Sequence, residues 1–244
     1  MIEYEFPLNE RIRKFLRIEE IFKKMEIQML NKKEFSAHTC FSTYFDIMSC
    51  VSRADIKVEL IQEIEKQRLK LKSKIKTKKN IKIQAQLNKI RLTLENAKVI
   101  SGFNFGSDKF LHELKIRSDS PFGIVSTDFP EFQFWLESTS IADRKSYFRS
   151  KLNDFNSIRM AIITLMNILR NNVVANSIET KTEEVQCKLN PLLKNDLVII
   201  TIPTKLKCFP NISANKYAVN IHLKINSSIK VTKPIKFKLG IASF

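Results

Sequence analysis

The chain has 244 residues and 28.4 kDa, 43% hydrophobic and 27% charged, which suits one large domain or two small ones with packed cores. Lysine and arginine outnumber aspartate and glutamate 42 to 25, giving a formal charge of +17 and a pI of about 9.7. An excess of that size is more than a few active-site lysines would add, and it points to anionic partners (nucleic acid, anionic lipid, acidic protein segments) or to a lysine-rich surface with no ligand at all.

Met1 to Asn9 is acidic and quickly polar, which does not read as a signal peptide. Pro7 precedes a helix in which Ile12, Phe15, Ile18, Phe22, Met25 and Met29 recur at steps of three and four, a single buried stripe. An aromatic-rich segment follows between Phe35 and Cys50, with Phe41, Tyr44, Phe45 and Met48. A third helix is expected from near Arg53, its apolar face marked by Ile56, Leu60, Ile64, Leu71 and Ile75, with Arg68 interrupting it. After a polar break at Lys76 to Asn80, Ile83, Leu87, Ile90, Leu94 and Ala97 define a fourth, and the two suit an αα-hairpin that Gly102 and Gly106 close. Phe110 to Ile116 reads as a short helix, Ser120, Pro121 and Gly123 as a turn, and Ile124 to Thr127 as extended. Asp128 is placed to N-cap the next helix, with Pro130 and Glu131 in its first turn. Phe155, Ile158, Ile162, Leu165, Met166 and Leu169 mark a final helix.

After Asn171-Asn172 the period changes. Val185, Cys187 and Leu189 alternate with polar residues, Leu197 to Ile202 is a continuous apolar run, and Ala218 to Ile225 and Ile235 to Leu239 alternate again. Loops are expected at Pro203, Pro210-Asn211 and Asn226-Ser227-Ser228. The reading is α+β: a mainly helical domain over 1–172, then a small, mostly antiparallel β domain over 173–244. No apolar run approaches the ~18 residues that span a bilayer.

No phosphate loop, dinucleotide turn or nucleophile elbow is present, so no enzyme and no cofactor is expected. Cys40, Cys50, Cys187 and Cys208 contain no Cys-x-x-Cys pair and suit reduced thiols in cytoplasm. His38, Cys40 and Cys50 give the one hint of a metal site, weak because zinc ligands come in tight pairs. Glu59, Glu63 and Glu65 read as a solvated helix face beside lysines. Arg13 and Arg17 are i,i+4 neighbours on the first helix, with Lys24 nearly in line. From Lys66 to Lys82 runs KQRLKLKSKIKTKKNIK, unbroken by any acid. Its interleaved Leu69, Leu71 and Ile75 make it amphipathic: a solvated hairpin tip, or a contact for an anionic polymer or membrane. A basic nucleic-acid-binding module is the alternative function, though no zinc finger, RNA-recognition aromatic signature or recognition helix supports it.

Four blocks in register resemble one family. FPLNERIRKFLRIE (Phe6 to Glu19), RADIKVELIQEIEKQRL (Arg53 to Leu69), PFGIVSTDFPEFQFWL (Pro121 to Leu136) and FPNISANKYAVNIH (Phe209 to His222) are similar to segments of the ZapD family. The resemblance implies a helical domain joined to a curved β domain in a symmetric homodimer that binds the C-terminal tail of FtsZ in a basic pocket. It implies bridging of filaments at the division site at mid-cell, while the cysteines point to cytoplasm, the lack of a long apolar run to no membrane insertion, and the charge to only nonspecific contact with nucleic acid. Carried over, Arg17 and Arg53 match basic positions of that interaction, with Arg13 and Arg117 as neighbours, and Lys216 matches a basic strand position. His222 and Ala218 stand where the family tends to carry arginine, and Gln133 replaces a common histidine. Phe15 and Leu16 beside Arg17 are candidates for apolar anchoring, or for the core.

Overall fold

A computed structural model describes residues 1–31, 35–52, 54–73, 77–97, 108–225 and 234–244. Gly102, Gly106, Ile75 and Asn226 to Ser228 lie outside them. The described elements are β1 (Ile2–Pro7), α1 (Glu10–Leu30), α2 (Ala37–Val51), α3 (Ala54–Lys72), α4 (Lys78–Asn96), α5 (Lys109–Ser118), α6 (Pro130–Ser138), α7 (Ile141–Leu152) and α8 (Asn156–Asn171). Strands β2 (Val174–Thr180), β3 (Glu184–Lys188), β4 (Leu197–Ile202), β5 (Cys208–Ala214), β6 (Ala218–Ile225) and β7 (Ile235–Ala242) follow. A helical region followed by open antiparallel sheets makes the fold α+β, as the change of period implies.

The chain forms two compact units: Met1–Leu16 with Leu165–Phe244, and Arg17–Thr164. In the first, β1-β4-β7-β2 make one sheet and β3-β6-β5 another, every pair antiparallel. The expected single sheet is therefore two, with one core that takes Val198, Ile200 and Ile202 from β4, Phe237 and Leu239 from β7, and Val219, Ile221 and Leu223 from β6. β4 is apolar at every position but half-buried Thr201, in keeping with burial on both of its faces. Leu197 and Ile199, on the face away from that core, are also buried. Glu5 of β1 pairs across from Ile199 and so shares its face, and there it receives Arg170 of α8 through two hydrogen bonds of 2.6 and 2.9 Å.

The N-terminal strand β1 is an element that the mainly helical reading of 1–172 did not include. Ile2, Tyr4 and Phe6 alternate with Glu3 and Glu5, and Tyr4 and Phe6 pack on the core. Pro210-Asn211, expected as a loop, lies inside β5. β5 is a sheet edge, where a proline can be accommodated without breaking the ladder.

The second unit is helical and is centred on an aromatic cluster. α2 buries Phe41, Tyr44, Phe45 and Met48. Phe41 meets Phe148 of α7 at 4.7 Å, Trp135 at 5.5 Å and Phe132 at 5.8 Å between ring centroids. α7 buries Lys145 and Phe148. The predicted hairpin is antiparallel: Lys57 donates to the Ala97 carbonyl (2.7 Å), while Glu65 pairs with Arg91 (2.7 Å) further along. Glu63, expected on a solvated face, is buried and accepts from Gln67 at 2.8 Å. Asp128 does not cap α6: it lies in a 3-10 turn (Ser126–Asp128), and Phe129 occupies the cap position. That turn also shortens the expected extended stretch to Val125. The turn at Ser120 to Gly123 forms as read, with the Gly123 N–H donating to the Ser120 carbonyl at φ +66°.

Candidate functional site: basic residues on α1, α5 and β6

The start of α1 concentrates positive charge where a helix least tolerates it. Arg11, Arg13 and Lys14 fall within its first two turns, followed by Arg17. The first N–H groups there carry the positive end of the helix dipole, so the first-turn cations Arg11 and Arg13 lower helix stability by ~0.3–1 kcal/mol each, whereas Arg17 lies two turns in, beyond that effect. Asn9 offsets part of this, its Oδ1 accepting from the Ile12 N–H at 3.0 Å. Glu10 takes one Arg13 nitrogen at 3.0 Å, with both side chains largely exposed. Arg17 is exposed and has no ion-pair partner among the described residues. Lys24 is also exposed. Phe15 belongs to the core, whereas Leu16 stays half-buried beside Arg17.

Arg117 sits on α5, where its guanidinium lies 4.5 Å from the centre of the Phe129 ring and 3.7 Å from Glu113. Between the ring and Glu113 the guanidinium group is half-buried. Arg53 lies outside the described residues. Gln133 is exposed on α6.

Lys216, expected in a strand, is exposed in the turn between β5 and β6. Asn215 shapes that turn, accepting from the N–H groups of Tyr217 (2.8 Å) and Ala218 (2.9 Å). Its Asx geometry explains why the chain reverses there. His222 lies on β6, opposite Glu184 of β3 and Asn211 of β5. Its ring nitrogens are 3.6 Å from Glu183 and 3.9 Å from Glu184. Ala218 is buried. The outer side of this sheet at His222 is thus bordered by carboxylates.

Several other cations are held by partners within the fold, which the sequence did not reveal. Lys145 donates to the Asn31 carbonyl just past the end of α1 (2.9 Å) and lies 5.2 Å from the Phe35 ring centre. Arg144 donates to the carbonyls of Leu136 and Thr139 at the end of α6. Lys57 does the same for α4. All three place a cation at the negative end of another helix. Arg68 and Arg91 share Glu65, and Arg159 pairs with Glu26.

His38 is exposed with its ring 4.7 Å from that of Phe132, while Cys40 is buried. Burial pushes the Cys40 thiol up to about 11, partly opposed by Lys145. The described residues contain no group of three His, Cys, Asp or Glu side chains that could hold a metal ion.

A family model described as cell division protein ZapD matches residues 16–222. A cell division protein ZapD of Nitrosomonas eutropha is 32% identical over 234 residues, covering 91% of this chain and 89% of the relative. One from Nitrosomonas europaea is 30% identical, covering 91% and 86%. One from an Azoarcus species is 28% identical, covering 94% and 92%. The match runs through the basic helix, the aromatic helical unit and the strands up to His222, and the chain belongs to the ZapD family of cell division proteins.

Proposed function

We propose that this chain is a non-enzymatic cell-division factor that binds the C-terminal tail of FtsZ and, as a homodimer, cross-links and bundles FtsZ filaments at the division site. The observation that carries this reading is the start of α1, where Arg17 is exposed without an ion-pair partner among the described residues, one helical turn beyond Arg13 and beside half-buried Leu16. With no ion-pair partner among the described residues, Arg17 is open to an anionic partner. Arginine suits an acidic tail because its planar fork takes a carboxylate bidentately.

Charge alone is too weak for the task. One exposed pair contributes about 0–1 kcal/mol, whereas a micromolar complex needs roughly 8 kcal/mol. Leu16 and the Arg117–Phe129 stack offer apolar and planar contacts that charge can steer a tail toward. Lys216, His222 and Arg53 are retained as candidate tail contacts on the resemblance alone. The glutamates beside His222 weaken its attraction for an acidic tail, so the α1 arginines dominate in this chain. Two weak tail sites per dimer convert single contacts into avidity along a polymer.

Filament sedimentation tests this. The protein is expected to pellet with bundles of full-length FtsZ and to leave tail-less FtsZ unbundled. Equal bundling of the tail-less form would overturn tail recognition, and retention of duplex DNA at physiological salt without any bundling would favour the nucleic-acid reading.

A further inference from the structure

We propose that the outward face of the α3–α4 hairpin docks on an anionic lipid surface, a contact separate from tail recognition. Lys66 to Leu94 contains no aspartate or glutamate. Within it the hairpin exposes three large apolar side chains, Leu69 at 62%, Ile81 at 54% and Leu92 at 57%. Helix geometry collects them on one side. On α3, Ile56, Leu60, Ile64 and Gln67 are buried, and exposed Val58 and Leu69, nearly in line after three turns, point the opposite way. On α4, Leu87, Ile90 and Leu94 are buried, and Ile81, Ala85 and Leu92 likewise stand opposite them.

The helices run antiparallel, so the two exposed apolar rows lie side by side on the outside of the hairpin. Exposed lysines border them, Lys66 and Lys70 along α3 and Lys78, Lys82 and Lys89 along α4. Glu65 beside this face is held by Arg68 and Arg91, while Asp55 and Glu95 are exposed at its base.

An apolar strip between rows of lysine matches the boundary between headgroups and acyl chains, and lysine stems can lie along the strip with their ammonium groups in the headgroup layer. Nucleic acid fits less well. There is no Phe, Tyr or Trp between Lys66 and Leu94 on which a base could stack, and exposed Leu and Ile gain nothing from phosphates. A two-fold contact centred on the lysine-rich half of this face would oppose lysine to lysine, and one offset toward its base, where Asp55 and Glu95 are exposed, is the self-association that the serine variant tests. The contact is peripheral: no helix among the described residues is long and apolar enough to cross a membrane.

Co-sedimentation of the full chain with phosphatidylcholine vesicles, with and without phosphatidylglycerol, tests the proposal. Binding is expected only with the anionic lipid and is expected to fall as salt is raised. Leu69→Ser with Ile81→Ser, and separately Lys66→Glu with Lys70→Glu, are each expected to weaken it by about tenfold with helicity by circular dichroism unchanged. Arg17→Glu, outside the hairpin, is expected to leave it intact. Equal binding to neutral vesicles, no binding to anionic ones, or undiminished binding by both double variants would overturn the proposal. Duplex DNA bound at a salt concentration that abolishes vesicle binding would reassign the face to nucleic acid, and dimer dissociation in the serine variant without loss of vesicle binding would reassign it to self-association.

Discussion

Asp108 shows how single residues organise the helical unit. Its carboxylate caps α5 by accepting from the Leu111 N–H (2.9 Å), and it also receives Lys151 (2.5 Å) and the Tyr147 hydroxyl (3.2 Å) from α7. Burial alone pushes the carboxyl up, but the hydrogen bond from Lys151, the Leu111 amide and the Tyr147 hydroxyl together hold it below its ordinary value. The folded state therefore gains stability from the ionised form above the unfolded value, and that gain is lost as pH falls through the lower folded value. Asp108→Asn keeps the cap but removes the charge, so urea denaturation should show a loss of about 1–2 kcal/mol near neutral pH that shrinks below pH ~4. At Gly240 the constraint is space. A Cβ built there would stand 2.3 Å from Val173 Cγ1. Gly240→Ala should cost about 1–3 kcal/mol, and adding Val173→Ala should recover most of it. Neither effect was legible in the sequence, because Lys151, Tyr147 and Val173 reach these positions only through the fold. Glu63 was misread for the same reason: lysines neighbour it along the chain, yet its own side of α3 faces the core.

At the scale of elements, Asp196 joins the two ends of the chain. It is fully buried, and its carboxylate accepts from Asn9 Nδ2 (2.7 Å) and from the Phe244 N–H (2.8 Å), while Lys194 approaches to 3.2 Å. Its backbone bonds Leu8 and Ala242, each at 2.9 Å. It thereby fixes the exit of β1, the cap of α1 and the C-terminus of β7 together. Asp196→Ala removes the acceptors of Asn9 and Phe244, and thermal or urea unfolding should register a loss of about 2–4 kcal/mol. Elements with strong apolar periods were legible. β4 and β6 span the stretches their sequences mark, and the α1 stripe from Ile12 to Met25 is buried. Those with weak patterns were not. β1 has only two residues packed inward, Tyr4 and Phe6, and two glutamates, β5 carries Pro210 at an edge, and α7 (IADRKSYFRSKL) buries only Lys145 and Phe148. The pairing of β1 with β4 also predicts that a fragment covering 173–244 alone is less stable than one that retains Met1–Asn9.

For the molecule as a whole, the lysines and arginines behind the +17 net charge fall into two populations. One is structural: Lys57, Arg144 and Lys145 close helix ends, and Arg68, Arg91, Arg159 and Arg170 pair with glutamates. The other faces solvent and includes Arg17 and the lysines along the hairpin. Composition gave the total but not this division, since which cations are consumed inside depends on where the helix ends and glutamates come to lie. The family was legible from four blocks in register, while the positions of Lys216 and His222 relative to their neighbours needed the strand pairing. The most direct test of the account is fluorescence anisotropy of a labelled FtsZ C-terminal peptide across a salt series, with Arg17→Glu as the comparison. The account predicts saturable binding that weakens with salt and falls by at least about tenfold in the variant. Binding that ignores salt, or an Arg17→Glu protein that binds as well as the parent, would contradict it.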